Sequence, residues 1–256
     1  LFCLTSHVSR LTSHVSRLTS HVSLSKSRLH VLLELLCIHK PDQTRVVQLR
    51  AGVVEEQDRR WCEQAEVVEQ CEVLRIVGSD VGLQHGAAYF ARPVGRAALA
   101  AGVPIPSLDD LAQGQAVLWD FTHEIASRHL GYELSVVAPE VAGARLAGLA
   151  AQHDLVLYES FLTDLAGHRR IEAEWVLTRL DAFWGAVLDH RTPETTVVLC
   201  SDHGNLEDAT TKAHTTNPVP LLAVGPAAKC FEAATAITDV APAIVSCLAD
   251  RTLQED

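Results

Sequence analysis

Residues 195–208 read TTVVLCSDHGNLED, a β-branched and apolar run that gives way at once to Ser201, Asp202, His203, Gly204, Asn205, Glu207 and Asp208. The run does not alternate between polar and apolar side chains, as a strand with one wet face would. Continuous apolar character over a strand's length is expected where helices cover both faces of a sheet, the usual environment of parallel strands. The polar residues then fall at the strand's carboxyl end, where ligands bind in open α/β sheets.

The same arrangement occurs upstream. Asp154–Ser160 reads DLVLYES and leads into Phe161, Leu162, Thr163, Asp164, Leu165, Ala166, Gly167 and His168. Working outward, the spacing predicts a helix over Pro139–Gln152, a strand over Asp154–Ser160 and an amphipathic helix from about Arg170 to Asp189. Strands over Thr195–Ser201 and Val219–Val224 and a closing helix over Asp239–Ala249 follow. Within the long helix, Ile171 with Trp175 and Leu180 with Trp184 stand at helical spacing and read as core. This succession predicts an α/β domain with a mostly parallel sheet and helices on both faces.

Earlier in the chain the pattern is weaker. An apolar run at Val73–Val77 precedes a small-residue helix over Arg92–Ala101, closed by Gly102 and Pro104. Leu29–Ile38 suits a short helix or strand, and Val53–Glu72 is charged and helix-compatible. Leu4–Leu24 is a tandem heptapeptide, LTSHVSR twice and then LTSHVSL. It is read as a low-complexity tail, with His7, His14 and His21 at equal spacing and no surroundings that would make them a metal site. The expected organisation is a repeat tail over residues 1–28 and one α/β domain over residues 29–256, best defined from about residue 72.

Composition narrows the function. The 256 residues are 48% hydrophobic and 21% charged, enough to bury a core. A net charge of -11, from 21 basic and 32 acidic residues, leaves no cationic face for a nucleic acid backbone. No run approaches the ~18 apolar residues of a membrane span, and no secretory signal is visible at the start. The 7 cysteines form no CxxC pair and read as reduced, mostly buried thiols, which suggests a cytoplasmic protein. Cys200, inside the predicted strand, reads as a small core residue. The sequence contains no methionine, and the reading at this point is that part of the natural N-terminus is missing.

Asp and His together suit Zn²⁺ or Mn²⁺ and, less well, Mg²⁺, which favours oxygen throughout. Asp164, His168, Asp202, His203 and His214 exceed what a single tetrahedral site requires and look like parts of two sites. Two cations ~4 Å apart would polarise an oxyanion and stabilise the attacking and leaving oxygens of an in-line displacement. Each residue alone has a plainer reading. Asp202-His203-Gly204 can be a capped turn, Asp164 and His168 an i,i+4 helical pair, and His214 a loop histidine. Asn205 and Glu207 are candidates to orient the ligands, or Asn205 to satisfy a turn. Arg169 and Arg170 suit either an anionic substrate or an exposed helix start. Asp120, Thr122, His123 and Glu124, after the apolar AVLW, either reach a substrate or cap the next helix, and capping is the reading preferred.

The segments DLAGH (164–168), SDHGNLED (201–208) and HTTNPVPLLAVG (214–225) resemble the alkaline phosphatase superfamily of metalloenzymes. They are most similar to its branch of cofactor-independent phosphoglycerate mutase and phosphopentomutase. A weaker match lies at LDDLAQGQAVLWDFTHE (108–124). The resemblance implies an alkaline phosphatase-like core, two divalent ions, no organic cofactor and a small phosphorylated substrate. It assigns Asp164, His168 and His214 to one ion and Asp202 and His203 to the other. Family members also carry a first strand ending in a metal-binding Asp-Gly and a nucleophilic Ser or Thr; neither is recognisable here. Leu74–Gly82 ends in Ser79-Asp80, but adjacent strand residues point to opposite sides. Three readings stay open: a phosphomutase or phosphatase, a metal-binding remnant without the nucleophile, and a sulfatase or phosphodiesterase on the same cradle. Oligomeric state is not readable.

Overall fold

The computed structural model describes residues 106–129 and 133–252, together with the backbone of three strands, β1 (Phe2–Cys3), β2 (Thr44–Leu49) and β3 (Leu74–Ile76). The heptapeptide repeat after Cys3, the segments Leu29–Ile38 and Val53–Glu72, the Ser79-Asp80 step and the helix expected over Arg92–Ala101 lie outside the described residues. From there the order is α1 (Leu108–Ala112), α2 (Glu124–His129), α3 (Pro139–Ala150), β4 (Leu155–Glu159), α4 (Leu162–Gly167) and α5 (Ala173–His190). It continues with β5 (Val197–Cys200), β6 (Val219–Val224) and, after two short 3-10 turns at Ala228–Phe231 and Ile237–Asp239, α6 (Val240–Thr252).

Among the described residues the strands form one sheet in the order β2-β6-β5-β1-β4-β3. β1 runs parallel to both β4 and β5, with Phe2 opposite Tyr158 and Leu199, and β3 runs parallel to β4. β6 is antiparallel to β5 and β2 antiparallel to β6. The sheet is therefore mixed at one side. Parallel neighbours need a crossover, usually a helix. The link from Cys200 to Val219 contains no helix, so the chain returns in the opposite sense.

The unbroken apolar character of β5 has the expected cause. Val197 and Leu199 pack with Leu146, Leu180, Phe183 and Trp184 of α3 and α5, whereas Val198 and Cys200 pack with Phe231, Ile237 and Val240 on the opposite face. β6 divides in the same way, with Leu222 and Val224 on the first side and Val219, Leu221 and Ala223 on the second. Phe121 stacks on Phe183 with ring centroids 4.3 Å apart, tying the segment before α2 to α5.

The polar knot after AVLW is a cap. The Asp120 carboxylate is fully buried and accepts the N–H groups of Ile125 and Ala126 at 2.5 and 2.9 Å and the Thr122 hydroxyl at 3.0 Å. This satisfies donors that a helix start leaves without intrahelical partners. Glu124 pairs with Arg179 of α5 at 3.0 Å, and that guanidinium lies 3.9 Å over the Trp175 ring.

One expectation needs correction. Cys230 and Cys247, with Cα atoms 6.2 Å apart, form a disulfide that joins the first 3-10 turn to α6. Reduced thiols were expected because the cysteines are odd in number, scattered and without a CxxC pair; these two partners stand 17 residues apart and meet only through the fold. Cys200 is free and buried, as a core residue should be. No helix among the described residues is long and apolar enough to cross a membrane.

Candidate metal centre

The segment after β4 turns directly into α4, a six-residue helix with Asp164 in its first turn and His168 as its C-cap. Residues four apart share one helix face, and the Asp164 Oδ1 to His168 Nε2 distance is 3.3 Å. The helix stops because Arg169 takes a left-handed φ of 57°. The Arg169 and Arg170 N–H groups donate back to Ala166 and Leu165 at 2.8 and 2.9 Å, closing the helix end. A non-glycine residue in that region is strained. Here the Arg169 guanidinium donates to the Ala209 carbonyl, which anchors it in the loop after β5. Arg169 is thus committed to structure, while Arg170 is exposed.

The loops after β5 bring the other donors to the same place. His214 Nε2 lies 3.0 Å from Asp164 Oδ1 and 3.1 Å from His168 Nε2. His203 Nε2 lies 4.0 Å from Asp164 Oδ1 and 3.5 Å from Asp202 Oδ2, and its ring stacks on that of His214 at 3.6 Å. The five residues expected to divide between two ions therefore form one continuous cluster. Asp164, His203 and His214 each offer a ligand atom within 4.8 Å of the others.

Proton accounting supports a cation here. His168 Nδ1 is 2.6 Å from the Lys212 carbonyl, an acceptor, so Nδ1 carries the ring's proton in the neutral form and Nε2 keeps its lone pair. That lone pair faces a carboxylate oxygen and a second imidazole nitrogen, leaving at most the His214 proton and the more distant Asn205 amide to serve Asp164 Oδ1 and His168 Nε2. A metal ion satisfies both. Donors ~2.0–2.1 Å from a tetrahedral ion lie about 3.3–3.4 Å apart, close to the 3.0, 3.1 and 3.3 Å observed. Asp202 is held above the usual carboxylate range, chiefly by desolvation, with His203 opposing the shift and Asp164 adding to it.

Around the donors the packing leaves no slack. Asn205, 1% exposed, directs its amide N–H at Asp164 Oδ1 at 3.4 Å. A Cβ on Gly167 would stand 1.5 Å from Asn205 Oδ1, so only glycine at 167 admits that amide against α4. Gly204 and Thr215 pair backbone to backbone, N to O at 3.3 and 2.7 Å, which brings His214 alongside His203. Sequence reading named the donors but missed the Lys212 carbonyl, the Arg169 anchor and the role of Thr215. A backbone carbonyl leaves no mark in side-chain pattern, whereas Thr215 stood within a quoted motif.

Comparison with known proteins agrees with this picture. Residues 133–249 match the model of the Metalloenzyme superfamily, a stretch that includes every residue of the cluster. Over 113 residues the chain is 33% identical to a 2,3-bisphosphoglycerate-independent phosphoglycerate mutase from Syntrophotalea carbinolica, covering 40% of this chain and 22% of that protein. The chain thus spans about a fifth of that relative's length. In fold it is similar to the alkaline phosphatase of the Antarctic bacterium TAB5, with a TM-score of 0.51 at 9% identity over 97% of this chain and 96% of that one. A variant of that phosphatase with Mg bound in its M3 site gives a TM-score of 0.52 at 8% identity, again over 97% and 96% of the two chains. The fold is alkaline phosphatase-like, and the resemblance read from DLAGH, SDHGNLED and HTTNPVP holds.

Proposed function

We propose that the cluster binds divalent metal, Mn²⁺ or Zn²⁺ before Mg²⁺, and that the chain serves phosphate-ester chemistry of the phosphomutase or phosphatase type on a small phosphorylated substrate. The observation that carries this reading is the convergence of Asp164, from the first turn of α4, with His203 and His214, from the link between β5 and β6, onto one point. His168 joins through its 3.1 Å contact with His214, and Asp202 through its 3.5 Å contact with His203. In this reading Asp164, His168 and His214 would hold one ion and Asp202 and His203 the other. Bound metal would supply Lewis-acid stabilisation of the phosphoryl oxygens. The chain's own contribution is orientation: the Lys212 carbonyl sets the His168 tautomer and the Asn205 amide steadies Asp164.

A second reading, a metal-binding domain that does not turn over substrate, draws on the hydroxyls near the strand ends. Ser160 donates to the Trp119 carbonyl, Ser201 to that of His203 and Thr215 to Glu207, while Thr163 is buried. Among these described groups none is presented as a nucleophile.

Loading the purified chain with Mn²⁺ or Zn²⁺, removing the excess and counting ions by elemental analysis tests the first claim. Stoichiometric metal in the wild type, lost in Asp164→Ala, is expected; a chain that retains none overturns it. Hydrolysis of an aryl phosphate by the loaded chain, absent from Asp164→Ala, separates turnover from binding alone.

A further inference from the structure

The carboxylate of Glu207 is close to the cluster without joining it, because both its oxygens are already engaged. Oε2 accepts the Asn205 backbone N–H at 2.6 Å. Oε1 accepts the Thr215 hydroxyl and the Asn217 side-chain amide, the latter at 3.0 Å. Glu207 therefore joins residue 205, two positions after His203, to residues 215 and 217, which flank His214 on its C-terminal side. The Gly204–Thr215 bridge closes the same link through the backbone. A Cβ on Gly204 would stand 2.2 Å from Thr215 Oγ1 and 2.4 Å from Glu207 Oε1. The sequence thus leaves out one side chain so that this carboxylate can sit between the two loops.

We propose that Glu207 is a positioning residue, a clasp that sets the separation of His203 and His214 and through it the geometry offered to the ion. This rests on the cluster being a metal site. Within helix α4, Asp164 and His168 hold their relation through the i,i+4 spacing. His203 and His214 have no such support, lying on loops 11 positions apart whose cross-links are the backbone bridge and Glu207. An imidazole displaced by a fraction of an ångström loses its bond to an ion that demands ~2.0–2.1 Å. The two oxygens do different work, and this makes the clasp testable. Glutamine has the same shape, yet its amide has one acceptor oxygen and one NH₂ donor. Glu207→Gln can keep Thr215 and Asn217 only by turning its NH₂ against the Asn205 N–H, or the reverse.

The test uses the full chain and Co²⁺, whose visible absorption reports coordination geometry, with affinity taken from competition against a chelating indicator. Glu207→Gln is expected to weaken Co²⁺ and Zn²⁺ about 10- to 100-fold and to alter the Co²⁺ spectrum. Thr215→Val, which removes one donor to Oε1 and keeps the backbone bridge, is expected to act in the same direction with a smaller loss. Melting of the metal-free chains accompanies both, since a purely structural glutamate would lower the melting temperature and leave the spectrum of the folded fraction unchanged. Wild-type affinity and spectrum in both variants, with Asp164→Ala unable to bind, would overturn the clasp and leave the metal site standing. A wild-type chain that binds no Co²⁺ would overturn both.

Discussion

Two places in this molecule carry the same outward signature, an acidic residue and a histidine just after an apolar run, and they use it in opposite ways. At Asp120–His123 the groups are satisfied by the chain itself. The carboxylate accepts two helix N–H groups and a hydroxyl, and His123 Nδ1 meets the Ser135 carbonyl at 2.9 Å. At Asp164, His168, His203 and His214 the side chains face one another at 3.0 to 4.0 Å. Residue type does not separate a cap from a metal cradle; the destination of each lone pair does. Donors arriving from the backbone mean structure, whereas side-chain oxygen and nitrogen atoms converging on one another make a candidate metal site.

The sharpest way to break this contrast is to remove one carboxylate from each place. Asp164→Ala should weaken Zn²⁺ or Mn²⁺ binding by more than the ~10- to 100-fold typical of losing an orienting partner, because Asp164 contacts three of the histidines. The metal-free chain should melt within a few degrees of wild type, since no buried donor from the backbone is orphaned. Titration calorimetry and a thermal melt on the same sample check both halves. Unchanged metal affinity would place Asp164 in the same structural class as Asp120.

Asp120→Ala is the mirror image. It strips the cap from α2 and leaves buried N–H groups of Ile125 and Ala126 without partners. A loss of about 2–3 kcal/mol in unfolding free energy is expected from a lost cap and unsatisfied donors together. Urea denaturation would read this as a lower midpoint. Metal affinity of the folded chain should not move; if it falls as far as in Asp164→Ala, the two knots are energetically one.

Gly167→Ala probes the boundary of the cradle. A methyl placed 1.5 Å from Asn205 Oδ1 forces that amide away from α4. Overpacking of this kind costs roughly 1–3 kcal/mol, and the departure of the Asn205 amide from Asp164 should also weaken metal severalfold. Restored affinity in Gly167→Ala combined with Asn205→Ser, which makes room for the methyl, would show that the clash and not the helix is responsible.

Sequence alone revealed the framework best where burial on two faces wrote itself into a run. The strand expected at Val219–Val224 occupies those residues, and the helix expected from about Arg170 to Asp189 spans Ala173–His190. Its start is three residues late because Arg169 closes α4 first, a backbone event without a glycine to announce it. Strand direction was less legible. Val, Leu and Ala pack equally well in either sense, so β6 read as one more buried strand and not as an antiparallel one. The donors of the cluster were legible as motifs, because Asp164, Asp202 and His203 follow strand ends and His214 stands in the HTTNPVP motif before the next strand. Their grouping was not, since the approach of His203 to Asp164 and His214 depends on the Gly204–Thr215 bridge, a contact between two loops. Cys230 and Cys247 show the same limit: spacing along the chain says nothing of two elements folded onto one another.

His123 supplies the smallest effect and the most discriminating one for the comparison. Burial holds its imidazole below the ordinary value of 6.5, against opposing contributions from the Ser135 carbonyl and the nearby Asp120. With the folded value below the unfolded one, the unfolded chain binds the proton first as pH falls. The stability that neutral His123 contributes is therefore present above about 6.5 and is lost progressively on acidification beneath it. Its φ of 65° is a conformation that asparagine also tolerates, so His123→Asn removes the titration with little backbone penalty. Melting temperatures of the metal-free chains should run parallel for the two proteins above neutrality and converge as the pH drops below 6.5, the wild type losing more. In metal-loaded chains, binding adds its own acid sensitivity, because coordinating imidazoles must be unprotonated, and that part disappears in Asp164→Ala. If the convergence persists in the Asp164→Ala background, it belongs to the cap; if it vanishes there, the acid response belongs wholly to the cradle and His123 has no part in it.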